Sequence, residues 1–352
     1  MPALKDEIDK VIELSSRNLL RVAPPPVRYW LLWDMLQGPS EDPRFLAAAE
    51  ECKTYLPRLR LLAGLGEDGT WPISRTRKMA EDAGPGPPYG WTYITMLRNL
   101  DALGDSRTTK DEGHVSAAVE RILGWQTKEG YIPGPWERFP LPQYNGYALR
   151  NLAVLGMGSD PRVHRIERWL LDMQRGDGGW VIPYIQDIRY LPQYKNMKMR
   201  EFTRIVNQGQ VPYTEDRALD DIPSCIWTTM MVVRGLVAGQ IAKTDKRLLS
   251  GAEFFLNGFF KENYHTTFFK EKGHWTKLKY PTYFGSGLCA LDLLTFLGFG
   301  PGDERMDKPI RWLLGARSKD GFWSRSDRPH PETDMWVTEV ALSSLIRYSR
   351  MY

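Results

Sequence analysis

The hydrophobic positions of this chain fall into two alternating kinds of segment, and both predict helices. Apolar residues recur at spacings of three and four in each kind. The first kind is apolar on most faces, as is typical of helices buried on all sides, and occupies 27–38, 90–104, 145–156, 224–236, 285–298 and 335–346. The second kind carries Arg, Glu and Lys along one face and occupies 4–21, 43–63, 114–125, 161–174, 245–260 and 304–315.

A short phrase recurs after the amphipathic segments: a polar turn with Asp-Gly or a near variant, followed by an aromatic residue. Its copies end at Trp71, Tyr131, Trp180, Trp275 and Trp323. Pro or Asp before the apolar helices and Gly after them are start and stop signals. Six alternating pairs predict an all-α (α/α)6 toroid of six inner and six outer helices, since ring closure protects the terminal repeats. We expect a single domain over 1–352, with the long insertion 181–217 acting as a lid over the cavity.

Composition narrows the classes of protein that fit this architecture. The 352 residues include 13 Trp, 16 Tyr and 13 Phe, which must pack a repeated fold or line a site. The net charge of +4 gives no reason to expect a nucleic-acid partner. The three cysteines are far apart, which suits a reducing cytoplasm better than a disulfide framework. We expect no signal peptide and no membrane span, because Arg234 interrupts the most apolar stretch.

The repeats resemble the QW-type repeats of the terpenoid cyclase and protein prenyltransferase superfamily, including the squalene–hopene cyclases. LLDMQRGDGGW at 170–180 is the closest match, and LGWQTKEGY and LLGARSKDGFW are looser copies. The segments VRYWLLWDML and TKLKYPTYFGSGLCALDLLTFLG are also similar to small single-toroid prenyltransferase/squalene-oxidase repeat proteins of unassigned activity. The resemblance implies the toroid fold strongly and the chemistry weakly, because one fold hosts several reactions.

Members of that superfamily use one of two chemistries, a zinc ion or a carboxylic acid, and the residues that each requires can be sought in this sequence. Protein prenyltransferases hold zinc with Asp, Cys and His, but here Cys289, Asp292 and Asp334 have only the loop residue His330 nearby, so we expect no metal. No cofactor is expected either. The class II cyclases use an Asp-x-Asp-Asp motif whose middle Asp protonates the substrate.

The stretch that corresponds to this acidic motif reads Ala218-Leu219-Asp220-Asp221, just before an inner helix. The resemblance makes Asp220 the acid and Asp221 its partner, although Ala218 replaces the first Asp. Such an acid must be buried and kept protonated. The alternative interpretation is helix capping, since Asp before a helix accepts amide hydrogens and Pro223 suits a first turn.

The starts of the inner helices are rich in aromatic residues, and in a toroid they would meet around one cavity. An aromatic basin suits an apolar substrate that passes through a cation, although rings also stack on sugars and pack cores. The predicted substrate-binding residues are Tyr29, Trp30, Tyr89, Trp91, Tyr144, Asn145, Trp227, Tyr283, Phe284, Asp334 and Trp336.

A second set of residues is a candidate for anion binding or acid–base work. Residues 261–280 hold five Lys against two Glu, which could clamp a diphosphate or form a solvated surface. Histidine can also act as a general acid or base near neutral pH. The candidates are Arg28, His265, His274, Lys277 and Lys279.

The sequence therefore predicts a terpenoid-cyclase-like enzyme, of isomerase or lyase type, that performs proton-initiated cyclisation or isomerisation of a small isoprenoid or similar apolar substrate. Two alternatives stay open: a carbohydrate-active lyase or hydrolase on the same toroid, and a non-catalytic protein that binds an apolar ligand. The weak basic balance permits peripheral membrane contact without arguing for it. Substrate identity and oligomeric state do not follow from the sequence.

Overall fold

The computed structural model describes residues 2–75, 90–134, 140–181, 197, 201, 204–205, 223–262, 272–280, 285–326 and 328–352. In these ranges the α-helices are α1 Pro2–Val22, α2 Pro25–Leu36, α3 Pro43–Glu51, α4 Leu56–Ala63, α5 Gly90–Asp105, α6 Val115–Gly124, α7 Pro142–Leu152, α8 Pro161–Asp172, α9 Ile226–Ala238, α10 Lys246–Gly258, α11 Gly287–Phe296, α12 Asp307–Gly315 and α13 Pro331–Ser349. Short helical turns lie at Cys52–Thr54, Ala153–Met157, Lys272–Thr276 and Glu304–Met306.

The predicted all-α fold class is confirmed, because every regular element in the described ranges is helical. The alternation behind the (α/α)6 prediction is present as well. Helices α2, α5, α7, α9, α11 and α13 match the apolar segments, and α9 and α13 are buried along most of their length. The intervening helices match the amphipathic segments, and α8 buries one face through residues such as Val163, Ile166 and Leu170.

Local signals account for where these helices begin and end. Helix α8 starts as its sequence predicts: the Asp160 carboxylate accepts a hydrogen bond from the Arg162 N–H at 2.7 Å, and Pro161 occupies the first turn. The single helix predicted over 43–63 is instead two helices, α3 and α4. Tyr55 between them is extended, and Pro57 removes a backbone donor and disfavours helical geometry just before it.

The described chain forms two compact units. Unit 1 comprises Met1–Leu56, Ala252–Glu262 and Glu271–Tyr352, and unit 2 comprises Pro57–Gly251 and Asn263–Lys270. The prediction of one domain over 1–352 stays a prediction. So does the lid at 181–217, which lies outside the described residues apart from isolated positions.

The core of unit 2 is built on the close approach of α7 and α9. A Cβ atom placed on Gly146 would lie 2.5 Å from the carbonyl oxygen of Met231, and one on Gly235 would collide with the carbonyl oxygen of Gly146. Glycine at both positions therefore lets the two backbones touch, which holds the starts of these helices in a fixed relation.

The core of unit 1 is built around α13, which packs against α1, α2 and α11. Its residues from Trp336 to Ile346 are buried, including the polar residues Glu339, Ser343 and Ser344. Within the part of the chain that the structure describes, no helix combines the length and apolar character needed to cross a bilayer.

Candidate functional site

In three of the repeats a tryptophan binds the turn to the helix before it. The indole Nε1 atoms of Trp71, Trp180 and Trp323 each donate to a carbonyl ten residues earlier, at 2.8, 2.6 and 2.7 Å. The backbone N–H of Trp180 donates to Thr229 Oγ1 at 3.1 Å, and that of Trp323 donates to Thr338 Oγ1 at 3.0 Å. The turns that end at Trp180 and Trp323 are thus bonded to the starts of the inner helices that follow them.

A turn glycine is required at this point for two reasons. Gly178 has φ of +89°, a conformation that residues with a Cβ rarely adopt. A Cβ there would also lie 2.5 Å from Ser250 Oγ. The Asp-Gly signal in the repeat therefore reports both the turn geometry and the packing of the turn against the next outer helix.

Asp177, in the same turn, reaches across to the start of α9. Its carboxylate accepts hydrogen bonds from the Ser224 backbone N–H at 2.8 Å and from the Ser224 hydroxyl at 2.7 Å. The Cys225 N–H also donates to the carbonyl oxygen of Trp180 at 2.8 Å. These bonds fix the chain at a position three residues after Asp221.

An aromatic cluster, called here the aromatic wall, joins the starts of three inner helices in unit 2. Tyr93 on α5 contacts Trp125 edge-on at 5.3 Å and Tyr144 on α7 at 6.2 Å between ring centroids. Tyr144 and Trp227 of α9 pack against the buried pair Leu141 and Cys225. Two of the predicted substrate-binding residues, Tyr144 and Trp227, are therefore brought together.

Buried polar atoms accompany the aromatic wall. The Tyr93 hydroxyl, Gln143 Oε1 and Thr228 Oγ1 lie near the starts of α5, α7 and α9 and have no hydrogen-bond partner among the described residues. Burial raises the pKa of the Tyr93 phenol, so it keeps its proton. Unsatisfied buried polar groups are costly, and this end of unit 2 can therefore hydrogen-bond a polar group on an otherwise apolar ligand.

In unit 1 the predicted aromatic residues form two separate groups. Tyr29 is buried among Trp30, Trp33 and Phe45, with centroid distances of 5.1, 6.0 and 4.7 Å. Trp336 stacks on Tyr280 at 4.9 Å with the ring planes 4° apart. Tyr29 therefore serves the local core, whereas Trp336 presents a stacked ring pair on α13.

Several predicted site residues form hydrogen bonds or ion pairs with other residues of the protein. The Asn145 side chain bonds the backbone N–H and C=O of Ile132 at 2.7 and 2.9 Å and the Leu141 carbonyl at 3.1 Å. The Asp334 carboxylate accepts from the Arg325 N–H at 2.7 Å. Arg28 forms an ion pair with Glu51. Ligand binding by these residues stays a prediction. To bind a ligand, each side chain would have to give up these bonds.

The remaining predicted residues are less informative. Trp91, Lys277 and Lys279 are half-buried. The following lie outside the described residues: Asp220, Asp221, Tyr89, Tyr283, Phe284, His265 and the side chain of His274. Within the described ranges no group of three His, Cys, Asp or Glu side chains is placed to hold a metal ion.

Charged residues inside the inner helices form two clusters that sequence reasoning missed. The first cluster lies in unit 1. Arg347 on α13 binds both carboxylate oxygens of Asp34 on α2, at 2.8 and 2.6 Å, and one oxygen of Asp292 on α11 at 2.7 Å. Desolvation lowers the pKa of Arg347, but the charges of Asp292 and Asp34 outweigh it and raise that pKa above its ordinary value. Glu339 lies two turns before Arg347 on α13 and completes this acid cluster.

The second cluster lies in unit 2 and balances its charges. Asp101 on α5 accepts from Arg150 at 2.6 Å and from Arg234 at 3.1 Å, and Arg150 also forms an ion pair with Asp105. Burial raises the pKa of Asp101, and the charges of Arg234 and Arg150 oppose that rise. The one signal in the sequence was a lone charge in an apolar helix, as at Arg234.

Comparisons with known proteins confirm the resemblance to terpenoid cyclases. The squalene–hopene cyclase of Bradyrhizobium diazoefficiens is 27% identical to this chain over 261 residues, which are 72% of this chain and 34% of the cyclase. The chain thus spans about a third of the length of the curated relative it matches. No protein-family model matches the chain.

Two solved structures are similar along nearly the whole chain. One is a protein from Actinoplanes, with 14% identity, a TM-score of 0.43, and coverage of 98% of this chain and 99% of that chain. The other is a variant of the type II terpene cyclase MstE from Scytonema in complex with geranylgeranyl dihydroxybenzoate, with 13% identity, a TM-score of 0.45 and full coverage of both chains.

Proposed function

We propose that this terpenoid-cyclase-like protein performs a proton-initiated cyclisation or isomerisation of an isoprenoid or similar apolar substrate. The observation that carries the proposal is the aromatic wall, in which Tyr93, Tyr144 and Trp227 from three successive inner helices meet at one end of unit 2. Ring faces stabilise a passing carbocation. The sequence similarity to squalene–hopene cyclase supports the same chemistry.

In this reaction Asp220 is the acid and Asp221 its partner. Asp220 donates its proton to an alkene carbon, the alkene π electrons form the new C–H bond, and the cation left behind is trapped by a second alkene or loses a proton. The Asp177 bonds to Ser224 support this assignment, because they fix the chain three residues after Asp221. The unpartnered Tyr93 hydroxyl can orient a polar end of the substrate.

The test is turnover of a panel of isoprenols, isoprenoid diphosphates and acidic oligosaccharides, with products analysed by mass spectrometry. We expect the wild type to yield a cyclised isomer of unchanged mass, and Asp220→Asn to reduce its formation by about 100-fold or more, the contribution of a general acid. Asp160→Asn is the matched control, because Asp160 caps the start of α8 and pairs with Arg162, and its bonds are therefore structural.

Each other outcome contradicts the proposal in a different way. If Asp220→Asn behaves like Asp160→Asn, Asp220 is a helix cap. Binding of isoprenols without turnover in any variant would indicate a carrier. Cleavage of oligosaccharides alone would favour the carbohydrate-active alternative, and binding of none of the panel would contradict an apolar-substrate function.

A further inference from the structure

Helix α13 carries a stripe of functional side chains along one face. Trp336, Glu339, Ser343 and Arg347 follow one another at spacings of three or four residues, so they share that face. The face lies between α2 and α11, because Arg347 binds Asp34 on the first and Asp292 on the second. Glu339 therefore lies beside the boundary of three inner helices of unit 1.

Glu339 forms no ion pair with a described residue, and its only hydrogen-bond partner among them is Ser343. Only 5% of its surface is exposed, and its one hydrogen bond is accepted by Oε1 from the Ser343 hydroxyl at 2.9 Å. Among the described residues, Oε2 has no hydrogen-bond partner, and Arg347 is already bound to two other carboxylates. An unpaired buried carboxylate is costly, and a group in this position keeps its proton instead.

The electrostatics of unit 1 agree with that geometry. Burial raises the pKa of the Glu339 carboxyl well above its usual value, and the negative charges of Asp34 and Asp292 raise it further. The helices packed against α13 bring Asp34 from α2, Asp292 from α11 and, near the end of α13, Asp9 of α1, which is bonded to Ser349. The Arg347 charge on α13 lowers the pKa of Glu339, and Lys5 of α1 pairs with Asp9, but burial and the two aspartates outweigh the effect of Arg347 on Glu339.

The stripe reaches accessible surface at its Arg347 end. The Arg347 and Asp292 side chains keep 20% and 28% of their surface exposed, although both lie on inner helices. One turn before Glu339, Trp336 and Tyr280 form the stacked ring pair. An acid that holds its proton, next to an aromatic face, is the pairing that a proton-initiated reaction of an apolar molecule needs.

We propose that Glu339 is a second interior acid, which donates its proton to an alkene held beside Trp336. The substrate class rests on the proposed function. The alkene π electrons form the new C–H bond and Glu339 is left as a carboxylate, which regains a proton from the final cation or from water. This acid has two carboxylates beside it, whereas the first Asp before Asp220 is replaced by Ala218.

Infrared spectroscopy tests the protonation without any turnover. We expect the wild type at pH 7 to show the carbonyl band of a buried protonated carboxyl, and Glu339→Gln to lack it. Glu167→Gln is the matched control: Glu167 is equally buried, but its oxygens pair with the Gln240 N–H and His164 Nδ1 at 2.8 and 3.0 Å. Absence of the band from the wild type, or its persistence in Glu339→Gln, would overturn the proposal.

Adding geranylgeraniol as the probe then tests whether Glu339 faces the ligand. We expect the probe to shift the band in the wild type and in Glu167→Gln, and Glu339→Gln to bind the probe with an unchanged Kd. In turnover, Glu339→Gln should lower product formation at least 100-fold while its unfolding temperature at pH 7 does not fall. Wild-type turnover by Glu339→Gln, or a band that the probe does not shift, would remove Glu339 as the donor.

The two proposals can fail separately. If the wild type forms no cyclised product, the proposed function fails, and the probe-induced shift alone decides whether Glu339 is an acid that faces an apolar ligand. If Asp220→Asn abolishes turnover and Glu339→Gln does not, the proposed function stands and the role of Glu339 as a donor fails.

Discussion

Units 1 and 2 each contain a charged cluster between inner helices, but the two clusters differ in how the cost of removing charge from water is offset. In unit 2 the two aspartates, Asp101 and Asp105, are matched by Arg150 and Arg234. In unit 1 Arg347 bonds Asp34 and Asp292, and the third acid, Glu339, bonds only the Ser343 hydroxyl. Two arginines oppose the rise in the pKa of Asp101 and one aspartate adds to it, whereas two aspartates add to the rise in the pKa of Glu339 and one arginine opposes it.

The comparison indicates that a balanced cluster serves structure and an unbalanced one retains a proton. A buried ion pair roughly offsets its own desolvation cost, so it adds little beyond specifying which helices meet. An excess of acid cannot be offset in this way, because an unpaired buried carboxylate is far more costly than the neutral acid. Unit 1 therefore contains the one group in these two clusters whose charge can change without breaking an ion pair.

The largest effect should come from removing Arg347, the arginine bonded to the acid cluster of unit 1. Arg347→Met leaves the half-buried Asp34 and Asp292 without their bonded cation, and we expect the free energy of unfolding to fall by about 3 kcal/mol, the low end for breaking a buried pair. Arg234→Met should cost less, about 1.5–3 kcal/mol, because Arg150 still binds Asp101. Urea unfolding of both variants measures the difference, and equal losses would show that the two clusters share their charges in the same way.

A smaller loss of stability should distinguish the repeat turn at Asp177 in unit 2 from the repeat turn at Asp320 in unit 1. Asp177→Ala removes the bonds to Ser224 and should lower the free energy of unfolding by about 1–2 kcal/mol. Asp320 occupies the same turn position in unit 1, but its carboxylate has no hydrogen-bond partner among the described residues, so Asp320→Ala should change little.

Thiol labelling makes this second prediction specific to the start of α9. Cys225 is fully buried, and burial raises the pKa of its thiol to about 11. We expect Asp177→Ala to speed the labelling of Cys225 by iodoacetamide and to leave Cys52 and Cys289 of unit 1 unchanged. Faster labelling of all three cysteines would mean that the substitution loosens the whole protein.

The helices could be predicted from the sequence because their signals are local. For α8, the Asp160-Pro161 start and the apolar spacing lie within one dozen residues, and the observed helix begins at the predicted residue. The split between α3 and α4 was missed because the apolar pattern runs through it, although Pro57 carried the signal for a break. The repeat turns were predictable for the same reason, because their glycines are required by the local backbone conformation, a positive φ.

The charged clusters could not be predicted, because their partners lie far apart in the chain. Arg347 and Asp34 are separated by 313 residues, and Asp177 and Ser224 by 47. A lone Arg or Glu in an apolar helix indicates that a partner is needed but not which residue supplies it. The raised pKa of Glu339 depends further on Asp34 and Asp292, which lie on two other helices and in no pattern within α13.

The effect that most sharpens the comparison is the pH dependence of Glu339→Gln. Because the folded-state pKa of Glu339 is raised, the folded protein holds a proton that the unfolded chain releases above the ordinary glutamate pKa of 4.5. The contribution of Glu339 to the free energy of unfolding of the wild type is therefore complete below the ordinary glutamate pKa. It falls by up to about 1.4 kcal/mol per pH unit as the pH rises toward the raised pKa. Glutamine carries no such proton, so the variant should gain on the wild type steadily above about pH 5.

The matched variant in unit 2 should behave in the opposite way at neutral pH. Asp101→Asn takes away the carboxylate that Arg150 and Arg234 share, and it should lower the free energy of unfolding at pH 7. Urea unfolding of both variants between pH 4 and 8 gives the two curves. A loss of stability at pH 7 in both would mean that Glu339 is charged in the folded protein and pairs with a cation, and the distinction between a balanced and a proton-holding cluster would then fail.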